Sequence, residues 1–444
     1  MLTQEKMYER IMKNSSYLNG TNKDGIVLNN KQKIAYRKML SGKNVFLTGA
    51  GGCGKTQLIK MFYSEYKSMK TIGLTSTTGT SALIIGGNTL HSFTGVGLGK
   101  GSVESMLQHI FSRKYLIKRW KALETLIVDE VSMLTPRLFD KLEEIARIVR
   151  ESDRPFGGVQ LVFTGDFLQL PTVEGDQFCF ESKKWNECFP SKDNIVYLDE
   201  IIRQEDSKFT RILNKVRMGT IDSEVKDVLQ KRVGKAEKNK YGIIPTRLFP
   251  LNSSVDKINE EELDKLEDVE FREYRMKLSV VLGIANKKQI IEKFRKNNVA
   301  PEVLQIAVGA QVMLTYNLDL ECGLANGSRG VVVGFTQEEF PEILFSNGVR
   351  RVIEYNTWEI KENDEVILNA RQIPLRVAYA LSIHRIQGAT LDSVAVDLKN
   401  IFEYGQSYVA LSRVRTLQGL TILSIDWNKI QAHPKAVEFY KNLL

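Results

Sequence analysis

The 444-residue sequence predicts an α/β protein with two parallel-sheet cores, and three observations carry that expectation. Val45-Phe46-Leu47 is a short apolar run leading at once into Gly49, four residues, and Gly54-Lys55-Thr56. That is the G-x-x-x-x-G-K-[ST] phosphate-loop pattern between a strand and a helix. Apolar strands then alternate with helices to about residue 200, as a doubly wound parallel sheet requires, and the alternation starts over from Arg203. Between 304 and 371 the pattern changes to short alternating runs parted by Asn326-Gly327 and Asn347-Gly348. Asn-Gly between such runs signals hairpins, here a small β barrel inserted into the second core.

The length suits two or more domains. Charged residues are 26% and hydrophobic ones 43%, ordinary for a globular chain. Cys53, Cys179, Cys188 and Cys322 show no C-x-x-C spacing, which argues against a zinc site or a disulfide frame. No apolar run reaches membrane length and no secretory pattern opens the chain. The expectation is a soluble intracellular protein, cytoplasmic or nuclear, free of membranes. The net charge of +9 favours a polyanionic partner.

Taken in order, residues 1–25 form an N-terminal extension with a short helix. Residues 30–41 read as a helix with Gln32 in its first turn. In the phosphate loop, glycines turn the backbone so that amides of Gly51, Gly52, Cys53 and Gly54 can face one anion. The helix beginning near Lys55 adds its positive end. Lys55 would reach the β- and γ-phosphates of ATP, and the Thr56 hydroxyl would hold Mg²⁺. Ile72–Thr80 is a strand ending in the hydroxyl-rich loop Thr77-Thr78-Gly79. Residues 95–117, glycine-rich and then basic and amphipathic, read as an insertion projecting from the first core. Leu126-Ile-Val-Asp-Glu130 delivers Asp129 and Glu130 to a strand's carboxyl end, where such sheets bind ligands. Asp129 suits Mg²⁺ and Glu130 the polarisation of water. A helix over 136–151 is followed by the strand Val159–Thr164, which exits through Asp166, Phe167 and Gln169. Phe167 is either a core plug or a stacking surface. Thr246–Phe249 and Val394–Asp397 read as strands of the second core, and 267–300 as charged and peripheral.

Several ordered segments resemble the superfamily-one (1B) DNA helicases of the petite-integration-frequency family, 5′-to-3′ translocases related to RecD and phage Dda. They are Leu28–Gln32, Gly49–Thr56, Thr75–Gly101, Val128–Leu134, Asp140–Gly158, Gly165–Pro171, Arg203-Gln204, Thr246–Pro250, Val308–Leu314, His384–Thr390 and Tyr408–Arg413. The resemblance implies two RecA-like P-loop cores. The first comprises 26–94 and 118–200, with a wedge insertion at 95–117. The second comprises 201–266 and 372–444, with 267–371 an inserted subdomain holding an SH3-like barrel. It implies that Gln32 reads adenine, Gln169 senses the γ-phosphate, Arg203 and Arg413 come from the second core, and Gly388 approaches the nucleotide. It implies single-stranded DNA contacts at Thr77, Thr78, Gly79, His91, Phe93, Phe167, Thr246, Ser382 and His384. The expected function is ATP- and Mg²⁺-dependent 5′-to-3′ translocation on single-stranded DNA with unwinding of duplex and forked DNA, in replication, recombination or repair, by a protein monomeric when free. RNA–DNA hybrids and G-quadruplexes are further candidate substrates. The alternative is a single-strand-binding scaffold with a dead ATP site, against which intact Lys55, Thr56, Asp129, Glu130, Gln169 and Arg413 argue.

Overall fold

The structure, a computed structural model, describes residues 12–20, 25–172, 177–204, 206–234, 236, 238–250, 253–281, 287–297, 300–319, 321–362, 365–383, 386 and 389–443. The chain forms two compact units: Met1–Arg203 with Pro434–Leu444, and Gln204–His433.

The first unit runs α1 (Asn30–Leu40), β1 (Val45–Gly49), α2 (Lys55–Tyr66), β2 (Ile72–Ser76), α3 (Gly79–Ile85), β3 (Asn88–Thr89), α4 (Leu90–Thr94), α5 (Val103–Phe111), α6 (Lys114–Ala122), β4 (Thr125–Asp129), α7 (Pro136–Arg150), β5 (Gln160–Gly165), α8 (Lys183–Cys188) and β6 (Ile195–Leu198). The six strands form one parallel sheet in the order β3-β2-β4-β5-β1-β6. Every residue of β1, β4 and β5 is buried, as befits strands covered on both faces. Helix starts are written locally. Thr78 caps α3 and Thr135 caps α7, where Pro136 stands in the first turn with its missing N–H at no cost. The insertion does not stand free of the unit. Met106, Ile110 and Leu116 are buried, and Lys141 Nζ donates to Gly99 O at 3.1 Å.

One boundary differs from the sequence reading. The C-terminal helix Pro434–Leu443, expected in the second core, belongs to the first unit. Phe439 stacks on Phe180 at 4.4 Å and meets Phe46 and Phe167. The buried Tyr440 hydroxyl lies 2.5 Å from Thr48 Oγ1 and accepts the Phe167 N–H at 3.2 Å. An aromatic face assembled from distant segments decided this, and no local pattern encodes it.

The second unit runs α9 (Ser207–Arg217), α10 (Ser223–Gln230), β7 (Thr246–Phe249), α11 (Ser253–Leu263), β8 (Arg272–Arg275), β9 (Lys277–Val280), α12 (Lys287–Asn297), β10 (Val303–Ile306), β11 (Gln311–Leu314), β12 (Arg329–Phe335), β13 (Pro341–Phe345), β14 (Arg350–Val352), β15 (Asn356–Glu362), β16 (Glu365–Gln372), β17 (Leu375–Val377), β18 (Ala380–Ser382), β19 (Val394–Leu398), α13 (Gln406–Leu411) and β20 (Leu420–Ile425). β18-β7-β19-β20 is a parallel sheet. β14-β13-β12-β11-β17 is antiparallel, around a core that includes Leu304, Val312, Val332, Ile343 and Leu375. The 267–300 stretch is less peripheral than its charge suggested. β8 pairs with β10, β9 pairs with β16, and Tyr274 and Phe294 are buried. No described helix is long and apolar enough to cross a membrane.

Candidate nucleotide site and nucleic-acid interface

The site in the first unit is built at the carboxyl ends of β1 and β4. Gly49 leaves β1 at φ +141°, and a Cβ there would lie 2.3 Å from Leu198 O. Gly52 has φ +87°, and its added Cβ would fall 2.5 Å from Arg203 Cβ. Only glycine meets both the left-handed backbone and the close approach. The loop closes into α2, whose first residues are Lys55 and Thr56. Lys55 Nζ donates to Gly49 O at 2.7 Å and Ala50 O at 2.9 Å, so the ammonium already faces the loop's concavity. Cys53 is fully buried within the loop.

Asp129 ends β4 and is almost fully buried. Its Oδ1 accepts the Thr164 hydroxyl and the Glu130 N–H (2.9 Å), and its Oδ2 accepts the Thr56 hydroxyl at 3.1 Å. Burial pushes the carboxyl above its usual range, against the pull of these three donors and of the Lys55 ammonium. Two hard oxygens, Thr56 Oγ1 and Asp129 Oδ2, thus stand together beside the phosphate loop. That donor set fits Mg²⁺, which takes one or two protein oxygens and completes its shell with water and phosphate. Among the described residues no group of three or more His, Cys, Asp or Glu could form an all-protein metal cage. Glu130 follows at φ 55°, ψ 46°, a left-handed conformation uncommon for a residue with a side chain. Backbone held in this region clusters at functional sites.

Gln32 does two jobs in α1. Its Oε1 accepts the Asn29 N–H at 3.1 Å in a capping box, and its Nε2 donates to Cys53 O at 3.3 Å. A carboxamide has two donor protons and two acceptor lone pairs. These bonds take one of each. Ile202, unforeseen from the sequence, stands beside Gly54 at 59% exposure. Its only signal was a large apolar residue beside Arg203. Gln169 is buried behind β5, its N–H bonded to Asp166 O at 3.0 Å.

Arg203 departs from expectation. It closes the first unit instead of opening the second, and its N–H donates to Gly52 O at 3.2 Å. The chain leaving β6 crosses the phosphate loop, which places this arginine beside Gly52. Arg413 lies in the second unit, buried, with Nε donating to Val409 O at 3.0 Å and Nη2 to Ser412 Oγ at 3.3 Å. Gln204, matched beside Arg203 in the sequence but given no role there, donates through Nε2 to Ser412 O (3.1 Å) and Val414 O (3.0 Å), bracketing Arg413.

The strand-binding candidates divide. Thr77, Thr78, Gly79, His91 and Phe93 are all half-buried in the first unit. Thr78 caps α3, and Phe93 carries the Arg119 guanidinium 5.0 Å from its ring centroid. Two expectations are corrected. Phe167 is a core plug: fully buried, it packs on Phe46, Phe178, Phe180, Trp185 and Phe439 and offers no face to a base. Thr246 is likewise fully buried, its hydroxyl donated to Ala378 O at 2.9 Å. Ser382 is buried with no hydrogen-bond partner for its hydroxyl among the described residues. His384 and Gly388 lie outside the described residues.

A glycine loop joining a central strand to a helix, beside a buried Asp–Thr oxygen pair, defines a P-loop nucleoside triphosphatase. The "PIF1-like helicase" family model matches residues 27–227, and the "DNA helicase Pif1, 2B domain" model matches 290–335. The chain belongs to the PIF1-like helicase family and so to the DNA-helicase class of ATPases. It is 40% identical to the uncharacterised protein 030L of Invertebrate iridescent virus 6, covering 94% of each chain. It is 39% identical to the zebrafish (Danio rerio) ATP-dependent DNA helicase PIF1 over 94% of its own length and 64% of that protein's. The chain thus spans just under two thirds of that vertebrate relative. Among solved structures, the Pif1 helicase of Candida albicans matches at TM-score 0.74 and 36% identity, covering 94% of this chain and 100% of that one. A Bacteroides Pif1 helicase in complex with ADP-AlF3 and ssDNA matches at TM-score 0.62 and 28% identity, over 94% and 97%.

Proposed function

We propose that this chain is an ATP-driven motor that moves 5′-to-3′ along single-stranded DNA and separates the complementary strand. The observation that carries the reading is the buried Asp129, hydrogen-bonded to Thr56 of the phosphate loop and followed at once by Glu130. That is the arrangement needed to hold a nucleotide's phosphates and a water together. Lys55 exchanges the carbonyls of Gly49 and Ala50 for β- and γ-phosphate oxygens. Thr56 and Asp129 would hold Mg²⁺, which would supply charge neutralisation at the phosphates. Glu130 and Gln169 orient the attacking water. Arg203 and Arg413 stabilise charge spreading onto the γ-phosphate, a role suited to a planar, permanently charged group.

The two parallel sheets serve as RecA-like halves that alternate grip on the strand. Residues 95–117 act as the wedge, and the antiparallel sheets of 267–371 as the SH3-like subdomain. Thr78, Gly79, His91, Phe93, Ser382 and His384 form the strand track, with small hydroxyls and amides for phosphates and rings for sequence-tolerant stacking. The relative solved with ssDNA supports the choice of polymer. Replication, recombination and repair are the settings in which such a motor acts.

The test is unwinding of duplexes tailed at the 5′ or the 3′ end, alongside an RNA–DNA hybrid and a quadruplex, with salt titrated because phosphate contacts are salt-sensitive. Unwinding that requires a 5′ tail and is lost in Lys55→Ala and Glu130→Gln is expected. ATP turnover unchanged in both variants would overturn the assignment.

A further inference from the structure

Thr77 carries an inference that changes the role its position suggested. It sits where β2 gives way to the loop that leads into α3, one residue before the Thr78 cap. The Thr77 hydroxyl donates to Glu130 O at 2.7 Å, and the Thr77 N–H donates to Asp129 O at 3.2 Å. Ser76 Oγ adds a second bond to Asp129 O at 3.2 Å. The exit of β2 is thus stitched, through three bonds, to Asp129 at the end of β4 and to Glu130 just after it. Those residues need the support: Glu130 is held at φ 55°, a backbone state that persists only when its surroundings impose it.

We propose that Thr77 is a positioning residue: its hydroxyl holds Glu130 in the hydrolytic conformation and carries strand occupancy at Thr78-Gly79 to the ATP site. The inference rests on the motor reading above and deepens it. A single strand lying on the 77–79 loop then fixes the loop. The Thr77–Glu130 bond passes that order to the carboxylate's backbone, and hydrolysis quickens. The hydroxyl proton is committed to a protein carbonyl, so this side chain supports Glu130 and leaves phosphate contact to its neighbours.

The experiment compares Thr77→Val with Thr77→Ser. Valine keeps the branched shape and removes only the hydroxyl, and serine keeps the hydroxyl. Steady-state ATP hydrolysis is measured with and without oligo(dT), and oligo(dT) affinity by fluorescence anisotropy. The expected result for Thr77→Val is a roughly three- to tenfold fall in DNA-stimulated kcat, the range of one neutral hydrogen bond. KM for ATP and affinity for oligo(dT) stay within twofold, and Thr77→Ser recovers most of the rate.

A loss of oligo(dT) affinity in Thr77→Val would make the hydroxyl a strand contact and overturn the proposal. Stimulated turnover equal to the natural protein's would overturn it too. If Thr77→Val melts early, the decisive ratio is kcat with and without oligo(dT) at a temperature where it is folded, and an unchanged ratio counts against the relay. Failure of the motor reading shows separately, as absence of DNA stimulation in the unsubstituted protein.

Discussion

Asp129→Asn should make the protein more stable and destroy its chemistry, and the structure says why. Asp129 is buried, and desolvation outweighs the Thr164, Glu130 and Thr56 donors and the Lys55 charge in setting its carboxyl above the usual range. Asparagine keeps all three bonds. Its Oδ1 accepts the Thr164 hydroxyl and the Glu130 N–H as before, and its Nδ2 donates to Thr56 Oγ1, reversing the present bond. Only the buried charge is removed. Relief on that scale is about 1–3 kcal/mol, or roughly 2–10 °C in Tm for a unit of this size.

The sign with pH follows from linkage. A carboxyl raised in the folded state favours folding relative to the charged form below its unfolded value of 3.8, and this advantage drains away as pH rises through the folded-state value. The advantage of Asp129→Asn therefore grows from pH 4.5 upward and flattens once Asp129 is ionised in the fold. Differential scanning fluorimetry in EDTA from pH 4.5 to 8 reads it. Adding Mg²⁺ with ADP should raise the melting point of the natural protein more than that of the variant, because binding stabilises only a site that binds. A variant that melts lower, or whose advantage shrinks with rising pH, would refute this account of the site.

Three further outcomes are expected. Phe167→Ala empties the centre of an aromatic cluster and should cost about 3–5 kcal/mol in denaturant titration, while oligo(dT) affinity of the folded fraction is unchanged. Tyr440→Phe leaves Thr48 Oγ1 and the Phe167 N–H without their buried partner and should cost about 1–3 kcal/mol by chemical denaturation, with no effect on KM for ATP. Gly52→Ala forces a side chain to φ +87° against Arg203, about 1–3 kcal/mol of strain, and calorimetry should find nucleotide affinity down by tenfold or more.

The nucleotide half of this site was legible because its chemistry is local. Glycine spacing, Lys55, Thr56 and the apolar run ahead of Asp129 are each written within a dozen residues, and the elements they imply came out as the strands β1 and β4 and the helix α2. Phe167 was ambiguous because the same ring suits a base or a core, and its five aromatic neighbours come from β1, the 178–185 stretch and the C-terminal helix. Arg203 could be counted as an arginine but not placed, since its side of the boundary depends on where the chain crosses Gly52. The charged 267–300 stretch hid two strands because β8 reads Arg-Glu-Tyr-Arg with Tyr274 alone buried, and β9 alternates lysine and serine with only half-buried leucine and valine. Thr77 showed a hydroxyl but not that its proton was already spent on Glu130.

The return of Pro434–Leu443 to the first unit sets an order on birth of the molecule. A ribosome finishes β1 and β5 long before it makes Phe439 and Tyr440, and at about 5–20 residues per second the wait runs to tens of seconds. Throughout it, the rings of Phe46, Phe167 and Phe180 lack the cover of Phe439. The nascent first half is then a sticky intermediate awaiting its last piece, a natural client for chaperones, and translation must run to the final helix before the ATP-binding unit is whole.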